Sequence, residues 1–208
     1  MKLAPFYPIV PDTTWLARLL GEGITLVQLR IKETDAERVR SEIARAVQLC
    51  TGRCQLVVND YWRDAIATGA DFVHLGQDDL RQADIAAIRA AGIKIGISTH
   101  SPDELRLALA AAPDYVALGP IYPTKLKEMP FAPQGLDRIV EWRGQIDCPL
   151  VAIGGITVER APGVLAAGAD CAAVITDIVT SEDPRQQTRN WLAATAPWRN
   201  LSTGRPRS

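Results

Sequence analysis

Eight short apolar runs, at 6–10, 25–29, 55–58, 72–75, 94–98, 115–118, 150–153 and 171–176, recur along the chain with helix-length stretches between most of them. The runs are rich in Val, Ile and Leu and lack clean polar alternation, as parallel strands buried on both faces do. Strands alternating with helices build a parallel sheet, either closed into a barrel or open and doubly wound. An internal echo supports repeated βα units: GADFVHLG at 69–76 resembles APDYVALG at 112–119, and GADCAAV at 168–174 is a fainter copy. Each copy reads as a helix end, a turn and a buried strand.

Eight strands in 208 residues fit the lower size limit of a closed barrel. No Gly-x-Gly-x-x-Gly follows the first run, which weighs against an open dinucleotide-binding sheet. The fold class is therefore α/β, a single (βα)8 TIM barrel over residues 1–196, with 197–208 a polar, disordered tail.

Ala36, Val39, Ile43, Val47 and Cys50 share one helical face. Leu105, Leu107, Leu109 and nearby alanines form a second helix, opened by Ser101-Pro102 with Glu104 placed as in a capping box. Residues 81–91 and 157–167 carry two more, and Gly21, Gly69, Gly92 and Gly168 mark helix ends.

Basic and acidic side chains number 23 and 24, a net charge of −1, so no global basic field attracts nucleic acid or an anionic membrane. Any anion site must be local. Cys50 and Cys54 lack the usual zinc spacing, and with Cys148 and Cys171 they read as free thiols. No signal peptide or run of 18 apolar residues is apparent, so a cytoplasmic protein is expected.

In a (βα)8 barrel the chemistry sits at the carboxyl ends of the strands. Alternation puts Gln28, Arg30 and Lys32 on one side of the second strand, where two cations and an amide suit an anion clamp. Asp60, after Asn59, and Asp79 end neighbouring strands and suit a hard cation such as Mg²⁺, whereas Asp78 fits a helix cap. Ser98, Thr124 and Lys127 extend the anion site from the fifth and sixth units. Gly154-Gly155 after the seventh strand, with Ile175-Thr176 at the end of the eighth, suits a second, monophosphate pocket. His74 and His100 read as packed, hydrogen-bonded residues. A metal-bound diphosphate needs both charge signs at one rim.

Seven motifs in order carry a resemblance: QLRIK at 28–32, NDYW at 59–62, VHLGQDD at 73–79, GIST at 96–99, LGPIYPT at 118–124, APQG at 132–135 and AIGGI at 152–156. Over residues 6–196 the chain resembles the thiamine phosphate synthase family. The resemblance implies a Mg²⁺-dependent transferase of thiamine biosynthesis that joins an aminopyrimidine diphosphate to a thiazole phosphate. It implies that Gln28, Arg30, Lys32, Asn59, Ser98 and Lys127 hold the pyrimidine and its diphosphate, with Arg30, Lys32, Ser98 and Lys127 catalytic. It gives Asp60 and Asp79 to Mg²⁺, and Thr124, Gly154, Gly155, Ile175 and Thr176 to the thiazole phosphate. The partners implied are small molecules, without nucleic acid or membrane, and a homo-oligomer stays open.

Two positions depart from that pattern. Leu126 stands where the family tends to have Thr, which removes a hydroxyl from the loop after the sixth strand. Asp177 would repel the thiazole phosphate, so its side chain is expected to point away. Two rival readings are a thiazole tautomerase-like paralogue and a non-catalytic phosphate-metabolite binding protein.

Overall fold

Each apolar run forms a strand, and the eight strands close into one parallel barrel in chain order, with the last strand pairing back onto the first. A computed structural model describes residues 2–32, 35–124 and 131–199. The strands are β1 (Phe6–Val10), β2 (Leu26–Leu29), β3 (Gln55–Asn59), β4 (Phe72–Leu75), β5 (Lys94–Thr99), β6 (Tyr115–Leu118), β7 (Leu150–Ile153) and β8 (Cys171–Val174). The first three helices are α1 (Thr13–Leu20), α2 (Ala36–Cys50) and α3 (Trp62–Thr68). Then come α4 (Gln77–Gln82), α5 (Ile85–Ala90), α6 (Pro102–Ala110), α7 (Gly135–Arg143), α8 (Ala161–Ala166), α9 (Thr176–Val179) and α10 (Pro184–Thr195).

Strand periodicity divides the core in two. Tyr7, Ile9, Leu26, Val57, Phe72, Tyr115, Val151 and Cys171 point into the lumen and form one buried cluster. Their neighbours Val10, Val27, Val58, Val73, Ile95, Val116, Leu150 and Ala172 face the helices in the larger cluster. Burial on both faces is why these runs lack polar alternation. Phe6 extends the outer layer by stacking on Trp191 of α10, with ring centroids 5.2 Å apart.

Several helices differ from their sequence expectation. In α2, Val39, Ile43, Ala46 and Cys50 are buried, whereas Ala36 is exposed. In α6 only Leu105 and Ala108 face the core, while Leu107 and Leu109 are exposed, because side chains two apart cannot share a helical face. The expected helix over 81–91 is two helices, since the Asp84 carboxylate accepts from Ala87 N at 2.9 Å and starts α5 afresh. The helix expected over 157–167 begins only at Ala161. The strand expected over 171–176 stops at Val174, and Thr176 opens α9.

Beyond α10, Ala196–Trp198 make a 3-10 turn and Trp198 packs against the core, so the described fold continues past 196. Residues 200–208, most of the expected tail, lie outside the described residues. All four cysteines are free. No described helix is long and apolar enough to cross a membrane.

Candidate active site

Strand alternation places Gln28 and Arg30 on the lumen side at the carboxyl end of the barrel, with Asn59, His74 and Ser98 entering from β3, β4 and β5. Gln28 is 3% exposed and donates Nε2–H to Tyr7 Oη at 3.0 Å, so it lies below the open rim as part of the interior. Lys32 is exposed, and among the described residues no contact joins it to the carboxylates.

Asp60 is the pivot of the mouth. The chain leaves β3 through Asp60 in the left-handed region, φ 66°, a conformation that Asp and Asn tolerate better than other non-glycine residues. Its N–H donates to His74 O at 2.9 Å, and Asn59 Nδ2 donates to its carboxylate. Asp79, in the first turn of α4, brings its carboxyl within hydrogen-bonding reach of Asp60. Gly76 leaves room for that approach, since a Cβ there would lie 2.9 Å from Asp79 Oδ2. Burial first, then the Asp79 charge, pushes the Asp60 carboxyl up to about 6, and the nearby Arg30 guanidinium opposes the rise. Two contacting carboxylates beside an arginine form a site that a divalent cation would relieve of its self-repulsion. The donor set thus fits Mg²⁺, which takes one or two protein carboxylates and completes its shell with water and phosphate oxygens.

The neighbouring Asp78 does not cap α4. Gly76 occupies that position, and Asp78 is exposed and pairs with Arg81 at 2.6 Å. Gln77 donates Nε2–H to Ser98 O at 2.6 Å and ties α4 to β5.

His74 and His100 are both held by hydrogen bonds. His74 contacts Tyr115 Oη through Nδ1 and Ser98 Oγ through Nε2, both at 2.7 Å. Burial, then the Arg30 charge, lowers His74 to about 4, so its ring is neutral near pH 7. His100 stacks on Phe131 and places Nδ1 2.8 Å from Glu104 Oε2. The capping box is shifted by one residue: Ser101 Oγ accepts from Glu104 N, but Glu104 reaches back to His100 N.

The second half of the mouth is built on Gly154 and Gly155, at φ 99° and 63°. Both pack under the loop after β6: Ile121 N donates to Ile153 O at 2.9 Å and Tyr122 N to Gly154 O at 3.0 Å. A Cβ on Gly154 would meet Pro120 Cα at 2.7 Å, and one on Gly155 would meet Pro123 O at 2.5 Å. The glycines are therefore required by loop packing as well as suited to an anion. Among the described residues, no backbone acceptor takes the N–H of either glycine. Arg160 closes this corner by donating to Gly155 O at 2.6 Å while its guanidinium lies 4.5 Å over the Tyr122 ring. Thr124 is half-buried at the end of the same loop. Ile175 caps α9 and Thr176 begins it, which leaves first-turn N–H groups at the end of β8. Lys127 and Leu126 lie outside the described residues.

Asp177 turns away from the mouth, as expected from its charge. Its Oδ2 accepts from Trp191 Nε1 at 2.7 Å and Gln187 Nε2 at 2.8 Å, both on α10. Asp177→Ala would strand the indole N–H of the fully buried Trp191. A stranded buried donor costs about 1–3 kcal/mol, so the thermal unfolding midpoint is expected to fall by on the order of 5 °C.

Sequence reasoning missed three contributors. Tyr7 and Tyr115 occupy lumen positions, and a buried tyrosine in an apolar strand signals a hydroxyl in need of a partner. Arg160 left no signal, because its role depends on Tyr122 approaching Gly155. Two hollows frame the opposite end of the barrel, one at Cys50, Cys54, Gln55 and Asp71 and the other at Leu3, Leu26, Lys94 and Arg199. Neither contains the convergent charges of the mouth.

A closed parallel barrel with a charged rim and a glycine corner places the chain among the (βα)8 barrel proteins. The comparisons narrow this further. The profile of the thiamine monophosphate synthase family matches residues 7–178. Thiamine-phosphate synthase of Rhizobium etli is 60% identical over 97% of this chain and 100% of its own, and that of Salmonella agona is 47% identical over 90% of each. A solved thiamine phosphate pyrophosphorylase from Pyrococcus furiosus superposes with a TM-score of 0.83 at 28% identity, covering 94% of this chain and 96% of its own. The chain belongs to the thiamine monophosphate synthase family and is a transferase of thiamine biosynthesis.

Proposed function

We propose that the enzyme joins 4-amino-2-methyl-5-(diphosphooxymethyl)pyrimidine to 4-methyl-5-(2-phosphoethyl)thiazole, or its 2-carboxy form, with Mg²⁺, releasing thiamine phosphate and pyrophosphate, together with CO2 when the carboxy form reacts. The observation that carries this reading is the convergence of the Asp60 and Asp79 carboxyls within interaction reach of each other, with the Arg30 charge acting on Asp60. Asp60 and Asp79 would hold Mg²⁺. When bound, Mg²⁺ supplies countercharge to the departing diphosphate. Arg30 and Lys127 add positive charge on the same oxygens, Lys32 would reach them only by swinging in from its exposed position, and Ser98 donates a hydrogen bond. Asn59 orients the Asp60 carboxylate and lines the pyrimidine pocket. The N–H groups of Gly154, Gly155, Ile175 and Thr176, with the Thr124 hydroxyl, receive the thiazole phosphate.

The pyrimidine carbon–oxygen bond breaks first, the 4-amino group stabilises the cation, and the thiazole nitrogen captures it. This route asks the protein for countercharge and alignment more than for a strong base. The engagement of both His74 nitrogens supports it over a tautomerase-like proton transfer. The test is to incubate the purified protein with both substrates and Mg²⁺ and follow thiamine phosphate and pyrophosphate. Product in equal amounts that disappears on chelation is expected. Binding of both substrates without product would overturn the synthase reading in favour of a binding protein.

A further inference from the structure

Five strands each send one polar side chain into the middle of the lumen, and together they make a continuous chain. Gln28 Nε2 donates to Tyr7 Oη at 3.0 Å, Tyr7 Oη lies 3.1 Å from Tyr115 Oη, Tyr115 Oη lies 2.7 Å from His74 Nδ1, and His74 Nε2 lies 2.7 Å from Ser98 Oγ. Gln28, Tyr7, His74 and Tyr115 are buried, and Ser98 is half-buried at the upper end. The arrangement is built into the barrel: a Cβ on Gly96 would sit 2.1 Å from the Tyr115 ring, so only glycine admits that ring. His74 stacks on Tyr115 with an interplanar angle of 15°.

Proton counting gives the chain a direction. Each phenol carries one proton, and burial raises both tyrosines well above their ordinary range, so neither ionises near pH 7. With the Gln28 amide donating into Tyr7 Oη, the Tyr7 proton goes to Tyr115. The Tyr115 oxygen is then an acceptor, and its own proton goes to His74 Nδ1. A neutral imidazole that accepts at one nitrogen donates at the other. His74 Nε2–H therefore donates to Ser98 Oγ, and the Ser98 proton remains for something outside the chain. Apolar side chains would fill this layer of a barrel equally well for folding.

We propose that Gln28, Tyr7, Tyr115 and His74 form a one-way hydrogen-bond chain that fixes the Ser98 hydroxyl as a donor into the barrel mouth. The four are positioning residues, and Ser98 is the group that touches the anionic substrate. That last assignment rests on the reading given under Proposed function, whereas the direction of the chain does not.

The direction is tested on the full-length protein without substrate, by nitrogen-15 NMR of the histidine rings at pH 7. The result expected is a protonated Nε2 and a bare Nδ1 on His74. A protonated Nδ1 would overturn the proposal. Tyr115→Phe keeps the ring and removes the donor. It is expected to shift His74 toward the other tautomer and to weaken binding of inorganic pyrophosphate with Mg²⁺ about tenfold by calorimetry, the effect of one lost hydrogen bond to a charged group. Adding Tyr115→Phe to Ser98→Ala should cost nothing further, because the tyrosine acts only through the serine. Fully additive losses would sink the idea. Failure to couple the two organic substrates would remove the synthase reading, while the tautomer measurement and the pyrophosphate cycle would still decide the chain.

Discussion

Asp60→Asn is expected to lower turnover on the order of 10³-fold while making the metal-free protein more stable at neutral pH. The two effects share one cause. Asp60 is held against Asp79 in a half-buried site, and burial followed by the Asp79 charge raises its carboxyl to about 6. In the unfolded chain the same group titrates near 3.9. Between those values the folded state binds the extra proton, so stability from this group is present below about pH 4 and is lost as pH rises through about 6. Above that the ionised pair costs about 1–2 kcal/mol, after allowance for partial exposure.

Asn removes that charge, keeps an acceptor for Asn59 and tolerates the left-handed backbone at φ 66°. With a chelator present, its unfolding midpoint should exceed that of the parent by about 4 °C at pH 7.5 and match it near pH 4. Turnover with both substrates and excess Mg²⁺ should collapse. Full activity would remove Asp60 from the metal site. An unchanged midpoint at pH 7.5 would show that the two carboxylates do not repel each other in solution.

The barrel was legible because its strongest signal is local. Parallel strands covered on both faces need unbroken apolar runs, and four of the expected strands, at 6–10, 72–75, 115–118 and 150–153, match the structure end to end. Helix faces were less legible, because alanine-rich stretches satisfy more than one register, as the exposed Leu107 and Leu109 show. The end of β8 was overrun because Ile175 and Thr176 are as β-prone as the strand before them, and the turn there is set by tertiary packing.

Charge pattern carried part of the site. Asp60 and Asp79 converge as their placement at strand ends implied, and the Arg30 charge acts on Asp60. Lys32, two residues past Arg30, does not join them among the described residues, because alternation fixes a side and not a reach. The tyrosine chain was hidden for another reason. Tyr7 on β1 and Tyr115 on β6 are 108 residues apart and meet across the lumen, and strand order alone does not set which interior positions share a layer. The bond from Gln28 to Tyr7 was hidden for the same reason, since Tyr7 looked like an ordinary buried aromatic.

Gly155→Ala is the second large effect expected, and it separates the two halves of the mouth. Gly155 has φ 63°, and an alanine Cβ would lie 2.5 Å from Pro123 O and 2.8 Å from Tyr122 Cβ. The left-handed backbone costs a non-glycine residue about 1–2 kcal/mol, and the contacts fall on backbone that cannot rotate away. The loop carrying Thr124 must therefore move, and the N–H groups proposed to receive the thiazole phosphate move with it. A displacement of about 1 Å is enough to lower kcat/KM on the order of 10²-fold. The loss should appear in KM for the thiazole phosphate, with KM for the pyrimidine diphosphate kept, because Arg30 follows β2, Asp60 follows β3 and Asp79 sits on α4. Gly92→Ala is the matched control. Gly92 has φ 75° with nothing within 4 Å of its Cβ position, at the amino end of β5. It should lose stability through the same backbone strain and keep both KM values. Equal changes in both KM values for Gly155→Ala would mean that the glycine corner supports the whole rim and is not a separate phosphate pocket.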